Sequence, residues 1–154
     1  MTGPIVVLGY GAVGRATTAL LIEKGHVVTV AQRSPPSDLA AGANFQRCDV
    51  LDADAVDAVV KGASQVVAAI GFQYDGRIWR RSWPRAMTNI VRACEAHRAR
   101  LVFVDNLYMY GPQDAPLRED MPLTSYGVKP AVRSEVTRIW MEAAAAGRLP
   151  SRCA

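Results

Sequence analysis

The stretch IVVLGYGAVG, residues 5–14, restricts what this chain can fold into more than any other. Ile5, Val6, Val7 and Leu8 form a short apolar run, mostly β-branched and closed by glycine, which reads as a strand buried on both faces. Gly9, Gly11 and Gly14 follow as G-x-G-x-x-G. Val13, Thr17, Leu20 and Leu21 then recur at helical spacing, and Gly25 suits the stop after Lys24. Gly9 permits the tight turn, Gly11 lets the backbone approach a diphosphate, and Gly14 lets helix and strand pack closely. The free N–H groups at the start of the helix, around Ala12 and Val13, and the positive end of its dipole then face the phosphates.

The remaining chain alternates in the same manner. Further strands are predicted at 27–31, 43–47, 65–70 and 101–104. Ser34 to Ser37 carries two prolines and reads as a loop. A short helix is predicted over 52–60, with Val56, Val59 and Val60 inward and Gly62 beyond its end. Trp83, Met87, Ile90, Val91 and Cys94 trace the stripe of a helix packed on a sheet. A last helix is predicted over 130–146, with Val132, Val136, Ile139, Trp140 and Ala143 on one side, Pro130 in its first turn and Gly147 at its end. Residues 106–128 form a long Pro- and Gly-containing loop, a length that in compact domains points to function. The pattern predicts an α/β fold: a Rossmann-type doubly wound parallel sheet of about five strands, with right-handed crossovers and helices on both faces.

A length of 154 residues suits one domain, and 50% hydrophobic with 21% charged residues is the balance of a globular chain. No apolar run approaches the roughly 18 residues of a membrane span. Thr2, Gly3 and Pro4 lead directly into the first strand, so no membrane partner and a cytoplasmic location are expected. The net charge of +4 is modest, and Arg77, Arg80, Arg81 and Arg85 read as a solvated helix face rather than a nucleic-acid patch. Cys48, Cys94 and Cys153 are far apart and form no CxxC pair, so neither a zinc site nor a disulfide framework is suggested.

The end of the second strand selects the nucleotide. Folds that bind NAD place Asp or Glu there to bond the ribose 2′-hydroxyl. This chain has Ala31, Gln32, Arg33 and Ser34, with no carboxylate before Asp38. An arginine pairs well with a 2′-phosphate that an acid would repel. The expected cofactor is therefore NADP, with NAD the alternative. After the third strand, CDVLD puts Asp49 and Val50 near the expected adenine position, where Asp49 is able to accept a bond from the adenine amine; Asp52 is better placed to cap the next helix.

With these residues in hand, the chain resembles the NAD(P)-dependent epimerase/dehydratase family, the extended or atypical short-chain dehydrogenase/reductases. GYGAVG, CDVLD, TNIVRACEAHRARLVFVDNLYMYGP and EDMPLTSYGVKPAVRSEV carry the likeness over about residues 5–136. YMYGP is its most specific part and is similar to the family's V-Y-G turn, where substrate and nicotinamide meet. The resemblance implies hydride transfer on a small carbonyl, hydroxyl or nucleotide-sugar-like substrate, assisted by Ser/Thr, Tyr and Lys. It points to Tyr126 and Lys129 as the acid pair and to Asn106 beside the substrate carbonyl. There are departures. Asp105 and Asn106 stand where the family has its serine. Tyr126 and Lys129 are three apart rather than four, and Pro130 disfavours helical geometry at Lys129, which puts the pair before the helix. Tyr108 and Tyr110 are alternative phenols, and the other readings are a non-catalytic NADP-binding regulatory module or a truncated, inactive chain. The binding domain is expected over 1–147 with a short irregular tail at 148–154, where the family continues into a sixth strand and a substrate region. An uncovered sheet edge leaves a homo-oligomer open.

Overall fold

The computed structural model describes residues 3–150. Cys153 and the last part of the tail expected at 148–154 lie outside the described residues. Five strands, β1 (Ile5–Leu8), β2 (Val28–Gln32), β3 (Ala43–Arg47), β4 (Gln65–Ala68) and β5 (Arg100–Phe103), alternate with helices α1 (Ala12–Glu23), α2 (Ala53–Val60), α3 (Gly76–His97) and α4 (Val128–Ala145). All strand pairs are parallel, in the order β3-β2-β1-β4-β5. The doubly wound α/β sheet predicted from the sequence is therefore the fold. The order reverses between β2-β1 and β1-β4, and a crevice opens at the carboxyl ends of strands at such a reversal.

Burial follows the period of two in a strand. Val6 and Leu8 face the larger core with α2, α3 and α4, while Ile5 and Val7 face a smaller one with Leu21 and Ile22 of α1. The stripes expected of α2 and α3 are buried: Val56, Val59, Val60, Trp83, Met87, Ile90, Val91 and Cys94. In α4, Val132, Val136 and Ala143 are buried, with Ile139 and Trp140 packed against them. Arg77, Arg80, Arg81 and Arg85 are exposed along α3. Among the described residues no helix is long and apolar enough to cross a membrane.

Several expectations change. α1 turns Gly14 and Thr18 inward, with Leu21 and Ile22 beside them, whereas Val13 and Leu20 are about half exposed. Close approach at Gly14 fixes that face, so the apolar spacing of Val13, Thr17, Leu20 and Leu21 does not. β2 runs one residue later than expected and β5 one earlier. β4 stops at Ala68 rather than at 70, because the chain at Ala69 and Ile70 passes against Gly9. α3 starts at Gly76, capped by Asp75, and continues through Pro84. The 106–128 loop contains a 3₁₀ turn, Tyr108–Tyr110. α4 starts at Val128, so Lys129 is helical after all. Proline is tolerated there because the first helical amides lack intrahelical acceptors anyway. Leu149, in the expected tail, is buried in the larger core.

Candidate functional site

The glycine loop is a stack of backbone segments. Gly9 has φ +90°, and a Cβ there would lie 2.7 Å from the Ala69 carbonyl oxygen. A Cβ on Gly14 would fall on the Gly9 carbonyl oxygen, while one on Gly11 would meet nothing within 4 Å. Gly9 and Gly14 are thus required by packing, whereas nothing in the chain itself crowds a side chain at Gly11, which has open space in front of it.

That space faces the start of α1. Gly11 is the N-cap and provides no side-chain hydrogen bond, and the first turn holds no acidic residue. By contrast, Asp52 caps α2 through the N–H groups of Asp54 and Ala55, and Asp75 caps α3 through those of Arg77 and Ile78. α4 also starts from an uncapped glycine, Gly127, after the 106–128 loop. The N-terminus of α1 therefore presents amide donors and a positive dipole end without an internal acceptor, the arrangement that suits an anion.

A crevice of about 350 Å³ runs across the carboxyl ends of the strands, lined by Gly9, Gln32, Arg33, Asp49, Val50 and the 70–73 segment among others. Arg33 is exposed at one end of it, and among the described residues no carboxylate pairs with it. Asp38, the first carboxylate after β2, instead pairs with Arg15, whose guanidinium lies over the Tyr10 ring. Asp49 Oδ1 accepts the Leu51 N–H at 2.9 Å, and Asn89 on α3 donates to the Val50 carbonyl at 3.0 Å, fixing that wall.

The sequence reading missed several contributors. The Tyr10 N–H donates to Gln32 Oε1 at 3.1 Å, Gln32 Nε2 donates to the Ser34 carbonyl at 2.8 Å, and Tyr10 Oη accepts the Ala40 N–H at 2.9 Å. These bonds tie the glycine loop to the β2–β3 loop. Buried Tyr10 inside an otherwise glycine-rich turn was the signal for it. Cys48 also lines the crevice; burial, then Asp49 and Asp52, push its thiol up to about 11, so it remains protonated.

Beyond the 70–73 segment the site continues toward β5. Asp105 follows that strand and pairs with Arg133 of α4. Arg133 is 1% exposed, with its guanidinium 4.1 Å from the Trp83 ring centre and 5.2 Å from that of Phe103. Asp105 Oδ1 also accepts the Asn106 N–H at 2.7 Å, and Asn106 Oδ1 accepts the Tyr108 N–H at 3.1 Å. Asn106 thus holds the 3₁₀ turn in place.

Tyr126 and Lys129 line different grooves. Tyr126, 68% exposed, lies with Tyr110, Pro112 and Thr124. Lys129 lies with Tyr74, Gly76 and Tyr108, its ammonium 3.3 Å from the Tyr74 ring centre. Tyr74 Oη is 3.4 Å from Tyr108 Oη, and the Tyr108 ring stacks on Trp79 at 5.9 Å. The hydrogen bond to Tyr74 raises the Tyr108 phenol above its ordinary value, while Lys129 opposes the rise.

The Asp75 carboxyl is held below its usual 3.8 by the Ile78 and Arg77 N–H groups, then by the Arg77 and Lys129 cations. A carboxyl with a lower pKa folded than unfolded stabilises the fold above its unfolded value and loses that contribution as pH falls through the folded one. Urea melts compared at about pH 6 and about pH 3 are expected to show this loss, and Asp75→Asn to reduce the difference between them.

The fold and crevice define a nucleotide-binding α/β domain. A family model described as NAD(P)H-binding matches residues 9–138, and the chain belongs to that family. No curated protein matches the chain significantly. Among solved structures, UDP-glucose 4-epimerase from Brucella ovis in complex with NAD has a TM-score of 0.82 at 18% identity, over 95% of this chain and 49% of its own. Uronate dehydrogenase from Agrobacterium tumefaciens has a TM-score of 0.79 at 24% identity, over 94% and 57%. The Bordetella bronchiseptica enzyme WbmG, in complex with NAD and UDP, has a TM-score of 0.79 at 18% identity, over 92% and 50%. These likenesses concern the fold, and the chain spans about half the length of such structures.

Proposed function

We propose that the chain is a cytoplasmic NADP-binding domain of oxidoreductase or epimerase type, serving a small carbonyl, hydroxyl or nucleotide-sugar-like substrate. The observation that carries this reading is the uncapped, acid-free start of α1 with open space before Gly11, next to a crevice that is lined by Gly9 of the same loop and by Arg33, which no carboxylate among the described residues engages. In this reading Gly9, Gly11, Ala12, Val13 and Gly14 hold the diphosphate by backbone, Arg33 meets the 2′-phosphate, and Asp49 and Val50 border the adenine. The crevice fits such a group: its donors lack internal acceptors, and the nearest acid on the β2–β3 loop, Asp38, is engaged by Arg15. When bound, the nicotinamide supplies hydride transfer. NADP is favoured over NAD because no carboxylate takes the ribose position and a guanidinium does.

Calorimetry with NADP and NAD tests this. Arg33→Ala is expected to weaken NADP about 10- to 100-fold, the range of a lost charge-assisted hydrogen bond, and to leave NAD affinity unchanged. Equal loss for both nucleotides would assign Arg33 no part in the choice.

A second reading, a non-catalytic NADP-binding module, draws on the separation of Tyr126 from Lys129 and on Asn106, whose side-chain oxygen is committed to the Tyr108 amide. Turnover of NADPH by the purified chain would exclude it. Whether the nucleotide domain ends at 147 is tested by a chain stopped there. Because Leu149 packs in the core, that chain is expected to be less stable.

A further inference from the structure

We propose that the groove formed by Tyr74, Tyr108 and Lys129 seats an oxygen-bearing small ligand, and that Tyr108 is its proton donor. This rests on the nucleotide reading above and goes further by assigning the phenol. Three observations lead to it. The groove lies at the carboxyl ends of β4 and β5, one residue beyond the Gly71–Gln73 wall of the nucleotide crevice, and is open over about 340 Å³. Arg33 and Asp49 claim the β2 and β3 side for the adenosine half, so the reactive half of a dinucleotide would point toward β4 and β5.

The second observation is positioning. Tyr108 is held by a ring stack on Trp79 and by Asn106 Oδ1 on its backbone N–H, and Asn106 is itself fixed through the Asp105–Arg133 pair. A proton donor needs such a fixed phenol. Tyr126, in contrast, is 68% exposed and lines a different groove, with Tyr110, Pro112 and Thr124.

The third is charge. The groups facing Tyr108 are Tyr74 from the loop after β4 and Lys129 from α4, with Asp75 at the α3 cap beside Lys129. On a carbonyl ligand, the hydride that bound NADPH would supply forms the new C–H bond, the C=O π pair moves onto oxygen, and that oxygen takes the proton as the Tyr108 O–H bond breaks. The phenolate left behind is stabilised by the Lys129 ammonium and regains its proton from solvent past the Tyr74 hydroxyl. An ordinary phenol is protonated through neutral pH, as a donor requires.

The test combines a binding, a spectroscopic and a kinetic measurement on the full chain. Tyrosines labelled with ¹³C at Cζ are titrated by NMR, with Tyr108→Phe assigning the resonance. Calorimetry gives the NADP affinity, and NADPH consumption is followed with methylglyoxal as the carbonyl probe. Phenylalanine keeps the stack on Trp79, so folding should survive. The expected results are a Tyr108 midpoint above that of free tyrosine, a further upward move in Lys129→Ala, and a loss of about 100-fold or more in turnover for Tyr108→Phe with NADP affinity unchanged. A midpoint indifferent to Lys129→Ala overturns the proposal. So does NADP binding without turnover in the unaltered chain, or turnover lost in Tyr126→Phe but kept in Tyr108→Phe. Absence of NADP binding would remove the nucleotide reading itself and this assignment with it.

Discussion

Gly14→Ala is expected to cost about 2–4 kcal/mol of stability and most of the nucleotide affinity. The added methyl would fall on the Gly9 carbonyl oxygen and 3.0 Å from the Gly9 carbonyl carbon, and backbone yields less readily than the end of a side chain. Gly9 has no room to retreat. Its φ of +90° is fixed by the turn, and its Cβ position is 3.2 Å from the Ile70 Cα. Relief must therefore come from moving α1 away from β1, which shifts the amides that would hold a diphosphate. Gly11→Ala separates the two effects. Its backbone, at φ −75°, accepts alanine and the methyl enters open space, so stability should hold while nucleotide affinity falls. Urea unfolding with calorimetry distinguishes them. Full stability in Gly14→Ala would mean that helix and strand are not packed as described.

Arg133→Ala is expected to cost about 3 kcal/mol, the lower end for a broken buried pair because Asp105 keeps 19% of its side-chain exposure. The loss has two parts. The carboxylate is left without its counter-charge, with Oδ2 already lacking a partner among the described residues. The guanidinium also leaves a void between Trp83 and Phe103, where it contributed a cation–π contact. Arg133→Met with Asp105→Asn fills the space and removes both charges, so the double variant should recover much of the stability. A double-mutant cycle in urea measures this coupling; strict additivity would contradict it. Since Asp105 also anchors Asn106, and Asn106 anchors the Tyr108 turn, the single variant should loosen the turn as well.

How much could be read in advance depends on the kind of force at each place. Val56, Val59 and Val60, or Trp83, Met87 and Ile90, are buried for hydrophobic reasons, and their spacing reveals it. The inward face of α1 is set by clearance, and neither Gly14 nor Thr18 announces it by hydrophobicity. The first turns of α3 carry exposed arginines and precede Pro84, which masks a helix whose start is marked by Asp75. Pro130 suggested a later start for α4, yet the first turn tolerates proline. The glycine loop was legible because its requirement is local. The Tyr74–Tyr108–Lys129 groove was not, because its residues come from three separate segments that only the sheet order brings together. Arg133 resembled any helix-surface arginine until α4 folded over Trp83 and Phe103.

The most direct test of the central claim, that the first amides of α1 grip a diphosphate, is an NADP titration of uniformly ¹⁵N-labelled protein followed by amide NMR. The largest saturable shifts are expected at Gly11, Ala12, Val13 and Gly14, with Arg33 and Val50 following at the same midpoint. A well-folded sample whose glycine-loop amides stay unmoved at millimolar NADP would contradict the account.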